Sequence, residues 1–314
     1  MIKAAIQLDV FTIISGGKET VQGLASACDT SERGMRILCD YLTVIGFLIK
    51  EGPCYKLTPD SAAFLSKVSS DYVGDAIEFL LSPTLLEGFR DVTSAVRKGG
   101  TILPDAGTIS PGNPIWVTFA RSMAPLMIEP AQLIANLIDA NPSRTLKVLD
   151  VAAGHGMFGI TLAKSHPKAE ITALDWPNVL EVARENAHAA GIAERFFTVS
   201  GSALEADYGD GYDVVLLANV LHHFDAATCE ILLTRVHTAL VENGRAVTLE
   251  FIPNEDRISP SEDALFSMVM LCLTPNGDAY TFWELERMFS NSGFSHSELH
   301  RLPFDFGRVV ISYK

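Results

Sequence analysis

The chain has 314 residues, 48% of them hydrophobic, and its 24 Lys and Arg against 38 Asp and Glu give a formal net charge of −14. This length exceeds what one hydrophobic core usually organises, so two domains are expected, over 1–100 and 101–314. A surface this negative repels phosphate groups, which argues against a nucleic acid partner.

Cysteines and apolar stretches indicate the class of protein. The five cysteines are scattered and never form a C-x-x-C pair. This arrangement argues against a disulfide framework and against a zinc site, and it predicts reduced thiols in a cytoplasmic protein. The segment 1–17 does not have the pattern of a signal peptide, because polar residues interrupt its apolar run. No window of about 18 uninterrupted apolar residues occurs, so no membrane span is expected.

The first third of the chain predicts a small helical domain. Apolar residues at three- and four-residue spacing predict helices over 2–14, 20–28 and 31–45. Two short β-type runs, 46–49 and 55–58, flank a turn and predict a hairpin. Helices followed by a hairpin are typical of a winged-helix domain. Gly99-Gly100 and the Pro- and Gly-rich stretch 104–114 then predict a linker, and a helix is expected over 115–140, ended by Asn141-Pro142.

The remainder alternates between strands and helices, which predicts a Rossmann-like, mostly parallel α/β sheet with helices on both faces. The expected strands are 146–152, 170–175, 196–200, 212–219 and 245–251. The expected helices between them are 158–165, 179–190 and 229–241. After a helix at 281–292, the runs 297–302 and 308–313 have no helix between them, so they should form an antiparallel edge.

A glycine-rich turn follows the first of these strands, where an open α/β sheet binds its ligand. Gly154, Gly156 and Gly159 also satisfy the dinucleotide fingerprint, with Asp175 about 20 residues on. Asp150 favours a different ligand, because an acid so close would repel a pyrophosphate but would attract the ammonium group of a methionine moiety. Asp175 can accept hydrogen bonds from ribose hydroxyls of either cofactor. The alternative is that the glycines are ordinary strand-to-helix turns and the acids are caps.

With these residues in view, the chain resembles the O-methyltransferases that include plant caffeic acid O-methyltransferase and the bacterial hydroxyneurosporene-type enzymes. The matching stretches are 148–156, 174–178, 221–225 and 277–281. The resemblance implies a winged-helix dimerisation domain that forms a homodimer, an S-adenosyl-L-methionine cofactor with S-adenosyl-L-homocysteine as product, and no metal. The implied cofactor-binding residues are Asp150, Ala152, Gly154, Gly156, Asp175, Trp176, Ser202, Ala203 and Asn219.

The same resemblance implies a catalytic pair. His222 matches the general base of the family, and Glu250 falls where plant enzymes keep a carboxylate that orients this histidine. His223 is a competing candidate for the base, and in a third interpretation neither histidine acts as one. The second supporting acid of the plant enzymes aligns with Ala279, so the base would have one carboxylate partner instead of two. In the cofactor site, Ser202 replaces the acid usual after the third strand.

A stripe on the helix before the first parallel strand is the candidate acceptor pocket. Its apolar residues recur at helical spacing, and aromatic and methionine side chains suit a flat apolar acceptor. The stripe consists of Trp116, Phe119, Met123 and Met127. Further acceptor contacts are expected from His223, Phe266, Met270 and Trp283. The alternative is that the stripe is ordinary core or a dimer contact.

These observations favour an O-methyltransferase that acts on a hydroxyl of a small aromatic, polyketide or polyene metabolite. One alternative keeps the cofactor without the base and is either a C-methyltransferase or a non-catalytic dimer scaffold. Another is a winged-helix regulator that responds to a ligand. Residues 1–70 contain seven basic and seven acidic side chains with no basic stripe, so the regulator lacks the contacts that would hold DNA.

Overall fold

The computed structural model describes residues 1–138, 144–303 and 307–314. By its contacts the chain divides into two compact units, Met1–Ser82 and Pro83–Lys314. The helices Pro83–Gly88 and Val92–Lys98 lie in the second unit, where both contact the helix Ser261–Leu273. The division therefore comes before these two helices, whereas the sequence places the domain boundary after them, at residue 100.

The first unit contains helices and one hairpin, in the order expected of a winged helix. Its elements are α1 Ile2–Gln7, α2 Val10–Ser15, α3 Val21–Ala27, α4 Glu32–Val44, β1 Leu48–Glu51, β2 Cys54–Leu57, α5 Pro59–Phe64 and α6 Ala76–Leu80. The prediction of one helix over 2–14 is wrong, because Asp9 adopts a left-handed conformation with φ 55° and separates α1 from α2. The side chains of Thr20 and Ser31 cap α3 and α4, as Ser and Thr do at helix starts.

Helices of the second unit surround a sheet. They are α7 Pro83–Gly88, α8 Val92–Lys98, α9 Ile115–Ser122, α10 Ala124–Leu137, α11 Met157–Ser165, α12 Pro177–Ala189, α13 Ala226–Ala239, α14 Ser261–Leu273 and α15 Phe282–Asn291. The single helix predicted over 115–140 is two, with Met123 between them. Pro125 explains the break, since its ring nitrogen has no proton for a helical hydrogen bond. Asn141 and Pro142 lie outside the described residues.

The sheet has seven strands in the described part of the chain, in the order β5-β4-β3-β6-β7-β9-β8. They are β3 Leu146–Val151, β4 Ala169–Asp175, β5 Phe196–Ser200, β6 Tyr212–Ala218, β7 Leu240–Glu250, β8 His296–Arg301 and β9 Arg308–Tyr313. Strands β3 to β7 pair in parallel, whereas β9 pairs antiparallel with β7 and β8. The predicted Rossmann-like sheet with an antiparallel edge is confirmed.

The strand order reverses direction between β3 and β6, since β4 and β5 lie on one side of β3 while β6 and β7 lie on the other. In such sheets ligands bind at the carboxyl ends of the strands beside this reversal. Asp150 lies near the end of β3, and Asn219 follows β6. These two predicted cofactor residues therefore lie at the same edge of the sheet. Within the described ranges, no helix combines the length and apolarity needed to cross a bilayer.

Candidate active site

The turn after β3 adopts backbone conformations that bring the chain close to a ligand. Ala152, Gly154 and Gly156 all have positive φ, at 54°, 56° and 73°. Glycine adopts this region freely, whereas alanine does so only under strain. Gly156 is the N-terminal cap of α11, and two of the first N–H groups of that helix are bonded within the chain, that of Met157 to His155 and that of Gly159 to Asp150.

Asp150 is a buried carboxylate that lacks a full set of partners. Its Oδ2 accepts a hydrogen bond from the Gly159 N–H at 3.2 Å, while its buried Oδ1 has no partner among the described residues. Burial, with a smaller contribution from the negative charge of Asp175, raises the pKa of this carboxyl to about 8. A buried acid is normally paired, so this oxygen fits a cationic group supplied by a ligand.

Asp175 ends β4 on the other side of the glycine turn. Its Oδ2 accepts from the Gly154 N–H at 2.8 Å and its Oδ1 from the Trp176 N–H at 2.7 Å. Burial raises the pKa of its carboxyl to about 6. Each carboxylate oxygen has a further lone pair, so Asp175 can still accept hydrogen bonds from two ribose hydroxyls. The chemistry of this turn therefore fits a nucleoside that carries an amino-acid group, such as S-adenosylmethionine.

The other predicted cofactor residues also follow parallel strands. Ser202 and Ala203 come after β5, where the Ser202 hydroxyl accepts from the Leu204 N–H and the Ala203 carbonyl accepts from the Tyr208 hydroxyl. Asn219 comes after β6 with φ 56° and donates its backbone N–H to the Leu249 carbonyl at 2.8 Å. These contacts define the loops that would surround the nucleoside.

His222 and Glu250 form the central pair of the site. Both side chains are buried, and the imidazole Nδ1 lies 2.5 Å from the Glu250 Oε2. The other oxygen, Oε1, accepts from the backbone N–H groups of Val220, Leu221 and His222 at 3.0, 2.7 and 3.4 Å. Because the carboxylate only accepts hydrogen bonds, Nδ1 carries the proton and Nε2 keeps a free lone pair. Nε2 can therefore accept a proton.

The two neighbouring histidines have different surroundings. His223 has a buried Nδ1 with no hydrogen-bond partner in the described chain, and burial together with His222 lowers the pKa of its ring well below the ordinary value. His155, within the glycine turn, accepts from the Met157 N–H at Nδ1, and burial lowers its pKa to about 4. Both rings are therefore neutral near pH 7. Neither is bonded to a carboxylate in the described chain, which distinguishes them from His222.

Aromatic rings connect the glycine turn to the histidine pair. Phe119 stacks on His155 with ring centroids 5.7 Å apart, and Trp116 meets Phe119 at 5.8 Å and His223 at 5.0 Å. The Trp116 indole N–H donates to the Thr108 carbonyl at 2.8 Å, which fixes this ring. The predicted stripe residues Trp116 and Phe119 thus lie between the two parts of the site.

A second aromatic group contacts the ring of His222 itself. Phe266 of α14 meets the His222 ring edge-on at 4.8 Å and stacks on Phe251 at 3.9 Å. Phe251 was not predicted from the sequence, although it directly follows Glu250 at the end of a strand. Its position after a strand, at the edge of the sheet where ligands bind, is the sequence signal that could have identified it as a site residue.

The methionines and the last tryptophan of the predicted acceptor set occupy different surroundings. Met123 is half-buried at the junction of α9 and α10. Met127 is buried in a hydrophobic core cluster that includes the sheet residues Val148 and Val214. Met270 of α14 is also buried. Trp283 is 56% exposed and lies beneath the Arg287 guanidinium.

Comparisons with known proteins identify the family. The family model of the O-methyltransferase domain matches residues 119–295, and the model of the O-methyltransferase dimerisation domain matches residues 1–67. The match to the dimerisation domain covers the N-terminal segment, which the alternative hypothesis had assigned to a winged-helix regulator.

Individual relatives agree with this result. The chain is 27% identical to 3-hydroxy-5-methyl-1-naphthoate 3-O-methyltransferase of Streptomyces sahachiroi, over 90% of this chain and 83% of the relative. It is 58% identical to a solved structure from Nostoc punctiforme described as a candidate O-methyltransferase, with a TM-score of 0.95 and coverage of 100% and 94%. Human N-acetylserotonin methyltransferase, solved with SAM, shares the fold at 20% identity, with a TM-score of 0.86 and coverage of 100% and 92%. The chain belongs to the O-methyltransferase family.

Proposed function

We propose that this enzyme transfers a methyl group from S-adenosylmethionine to a hydroxyl of a flat aromatic or polyketide metabolite, with His222 as the general base. The observation that carries the proposal is the buried His222–Glu250 pair, which leaves Nε2 free to accept a proton. It lies at the same sheet edge as the incompletely paired Asp150. A proton acceptor and a cation-binding carboxylate are what this reaction requires of a protein.

The cofactor would be held by its charges and hydroxyls. Asp150 would bind the ammonium group through its unpartnered Oδ1, and Asp175 would bind the ribose hydroxyls. Ser202 and Ala203 would line the adenine pocket, while Trp176, Ala152 and Asn219 would shape its walls. When bound, the cofactor supplies a sulfonium methyl that is already activated for transfer.

The protein then has two tasks, alignment of the acceptor and removal of its proton. Alignment places the hydroxyl oxygen in line with the methyl group and contributes to the rate by fixing the geometry. Proton removal falls to Nε2 of His222, which becomes an imidazolium that Glu250 stabilises through Nδ1–H. Glu250 would serve as a single carboxylate partner, with one oxygen on the imidazole and the other on backbone N–H groups, since Ala279 stands where the plant enzymes have the second acid.

The acceptor class follows from the ring surfaces beside the base. Trp116 meets the ring of His223, whereas Phe251 and Phe266 meet the ring of His222. Phe119 meets both Trp116 and His155. Such surfaces favour planar, polarisable ligands. The relative from Streptomyces sahachiroi is named for a hydroxynaphthoate substrate, which is a hydroxylated aromatic ring. This name supports an aromatic acceptor for the present enzyme.

Paired variants test this proposal. We expect His222→Gln to lower methyl transfer to a panel of hydroxynaphthoates and hydroxyquinones by about 10²-fold or more, while the Kd for S-adenosylhomocysteine stays unchanged. His223→Gln should have a smaller effect on kcat. Turnover that is unchanged in His222→Gln would exclude this base. Carbon NMR of the product distinguishes the alternatives, since C-methylation would give a methyl on carbon and no methoxy signal.

We further propose that the enzyme is a homodimer joined through the unit Met1–Ser82. Helix α4 carries Ile37, Tyr41 and Val44 on one face, at exposures of 45%, 39% and 84%. An exposed apolar face of this kind is typical of an association surface. Light scattering should give twice the 34.1 kDa mass of the chain, and Val44→Lys should shift the mass toward the monomer. A monomeric wild-type protein at micromolar concentration would contradict the proposal.

A further inference from the structure

The loop 274–278, which follows α14, is packed between two other segments of backbone. On one side, the Thr101 N–H donates to the Thr274 carbonyl at 2.8 Å. At Gly100, a Cβ atom would meet the carbonyl oxygen of Pro275 closer than 3.0 Å, a separation that real Cβ atoms essentially never show. The stretch that the sequence indicated as a linker is therefore in direct backbone contact with this loop.

The opposite side of the same loop packs against the backbone that carries the base. A Cβ atom on Gly277 would also meet the His222 carbonyl oxygen closer than 3.0 Å, and it would lie 3.0 Å from the carbonyl carbon of His223. The Gly277 N–H donates to the Thr274 hydroxyl at 2.9 Å, and that hydroxyl donates to the Met270 carbonyl at 2.8 Å. Hydrogen bonds to the end of α14 thus fix the position of Gly277.

Other contacts of the histidine segment show why this packing matters. Glu250 accepts hydrogen bonds from the backbone N–H groups of this segment. The Cys229 thiol donates to the Leu221 carbonyl at 3.2 Å, and the Tyr280 hydroxyl donates to the Phe224 carbonyl at 2.5 Å. The His222 carbonyl lies between these bonded groups and faces Gly277. Steric contact with Gly277 therefore limits how far this peptide can move toward the loop 274–278.

We propose that Gly277 is a positioning residue for the base, and that the Thr274 hydroxyl holds Gly277 in place. The proposal rests on the assignment of His222 as the base. A methyl group on Gly277 must displace either the loop or the His222 peptide, and a displaced imidazole is misaligned with the acceptor hydroxyl. A misplacement of about 1 Å can lower the rate by about 10²-fold.

Three variants and one control measure this effect. Gly277→Ala should lower kcat by at least about tenfold, with little change in the Kd for S-adenosylhomocysteine. Thr274→Val, which removes the hydroxyl but keeps the shape, should lower kcat less, and Thr274→Ser should restore it. Gly244→Ala is the matched control, because its Cβ would also meet a backbone oxygen, that of Val241 at 2.9 Å, but in the first half of β7. It should leave kcat unchanged.

Proton NMR provides a readout that does not depend on turnover. The imidazole Nδ1–H that faces Glu250 should give a downfield signal, identified by its absence in His222→Gln. Gly277→Ala should shift or broaden this signal, and Gly244→Ala should not.

An unchanged signal and unchanged kcat in Gly277→Ala would overturn the proposal. If that variant does not fold, equal kcat values for Thr274→Val and Thr274→Ser would overturn it. Unchanged turnover in His222→Gln would instead refute the base itself, so the two failures are distinguishable.

Discussion

Binding of S-adenosylhomocysteine should release a proton from the enzyme. The carboxyl of Asp150 has a pKa of about 8 in the free protein because it is buried with one unpartnered oxygen. Placing the ligand ammonium beside that oxygen favours the ionised form and lowers the pKa. At pH 7 a group with this pKa is about 0.9 protonated, so complex formation should release roughly 0.9 proton from this site.

The pH dependence of affinity follows from the same equilibrium. Between pH 6 and 7 the affinity should rise by nearly tenfold, and it should level off above about pH 8, where Asp150 is already ionised. Asp175, whose pKa is raised to about 6, adds a smaller contribution at lower pH. Without ligand, burial raises the pKa of the Asp150 carboxyl from its ordinary value of 3.8 to about 8. Protonation of Asp150 therefore stabilises the folded state at low pH, and this stabilisation is lost as the pH rises toward 8.

Calorimetry in two buffers of different ionisation enthalpy measures the released protons directly. The matched variant is Asp150→Asn, which keeps the acceptor for the Gly159 N–H but cannot ionise. It should bind about 10²-fold more weakly and release no proton from this position. A wild-type enzyme that releases no proton at pH 7 and binds with constant affinity from pH 6 to 8 would refute the assignment of Asp150 to the ammonium group.

Three other substitutions follow from the geometry. Ala152→Gly should raise the free energy of unfolding by about 1 kcal/mol in thermal denaturation, because Ala152 has φ 54°; a lower stability would contradict this strain. Phe119→Ala should raise the KM for the acceptor by roughly tenfold with less effect on S-adenosylhomocysteine binding, and the reverse ranking would place Phe119 in the cofactor site instead. Ala279→Glu should lower the melting temperature, because Ala279 is fully buried and an unpaired carboxylate there would be desolvated; improved stability would show that the site still accommodates a second acid.

The sequence predicted the elements whose local pattern is strong. The parallel strands are short apolar runs bounded by turns, and their order with the intervening helices determined the sheet. Helix α14 was not predicted, because its sequence from Phe266 to Leu273 is apolar except for Ser267 and lacks the amphipathic period that marks a surface helix. The break at Met123 was also missed, although Pro125 was visible in the sequence.

The site was predictable only in part for a related reason. Asp175 and Glu250 each end a strand and Asp150 is the last residue but one of β3, so their convergence follows from topology. Packing between distant segments leaves no such periodic signal. The contact of Gly277 with the His222 carbonyl depends on how three loops are layered, and the stacking of Phe251 on Phe266 joins a strand end to a helix that the sequence did not reveal.

Glu250 accepts hydrogen bonds from two different groups, and it can do so because a carboxylate has two equivalent acceptor oxygens. One oxygen accepts from backbone N–H groups and the other from the imidazole, whereas a glutamine amide has one oxygen and one NH₂ group. If its oxygen faced the backbone, its NH₂ would donate to Nδ1, drive the ring into the opposite tautomer and occupy Nε2 with a proton. If it were flipped, its NH₂ would oppose the peptide donors. The most conservative replacement is therefore expected to disable the base in either orientation, by a change of proton position or by local repulsion.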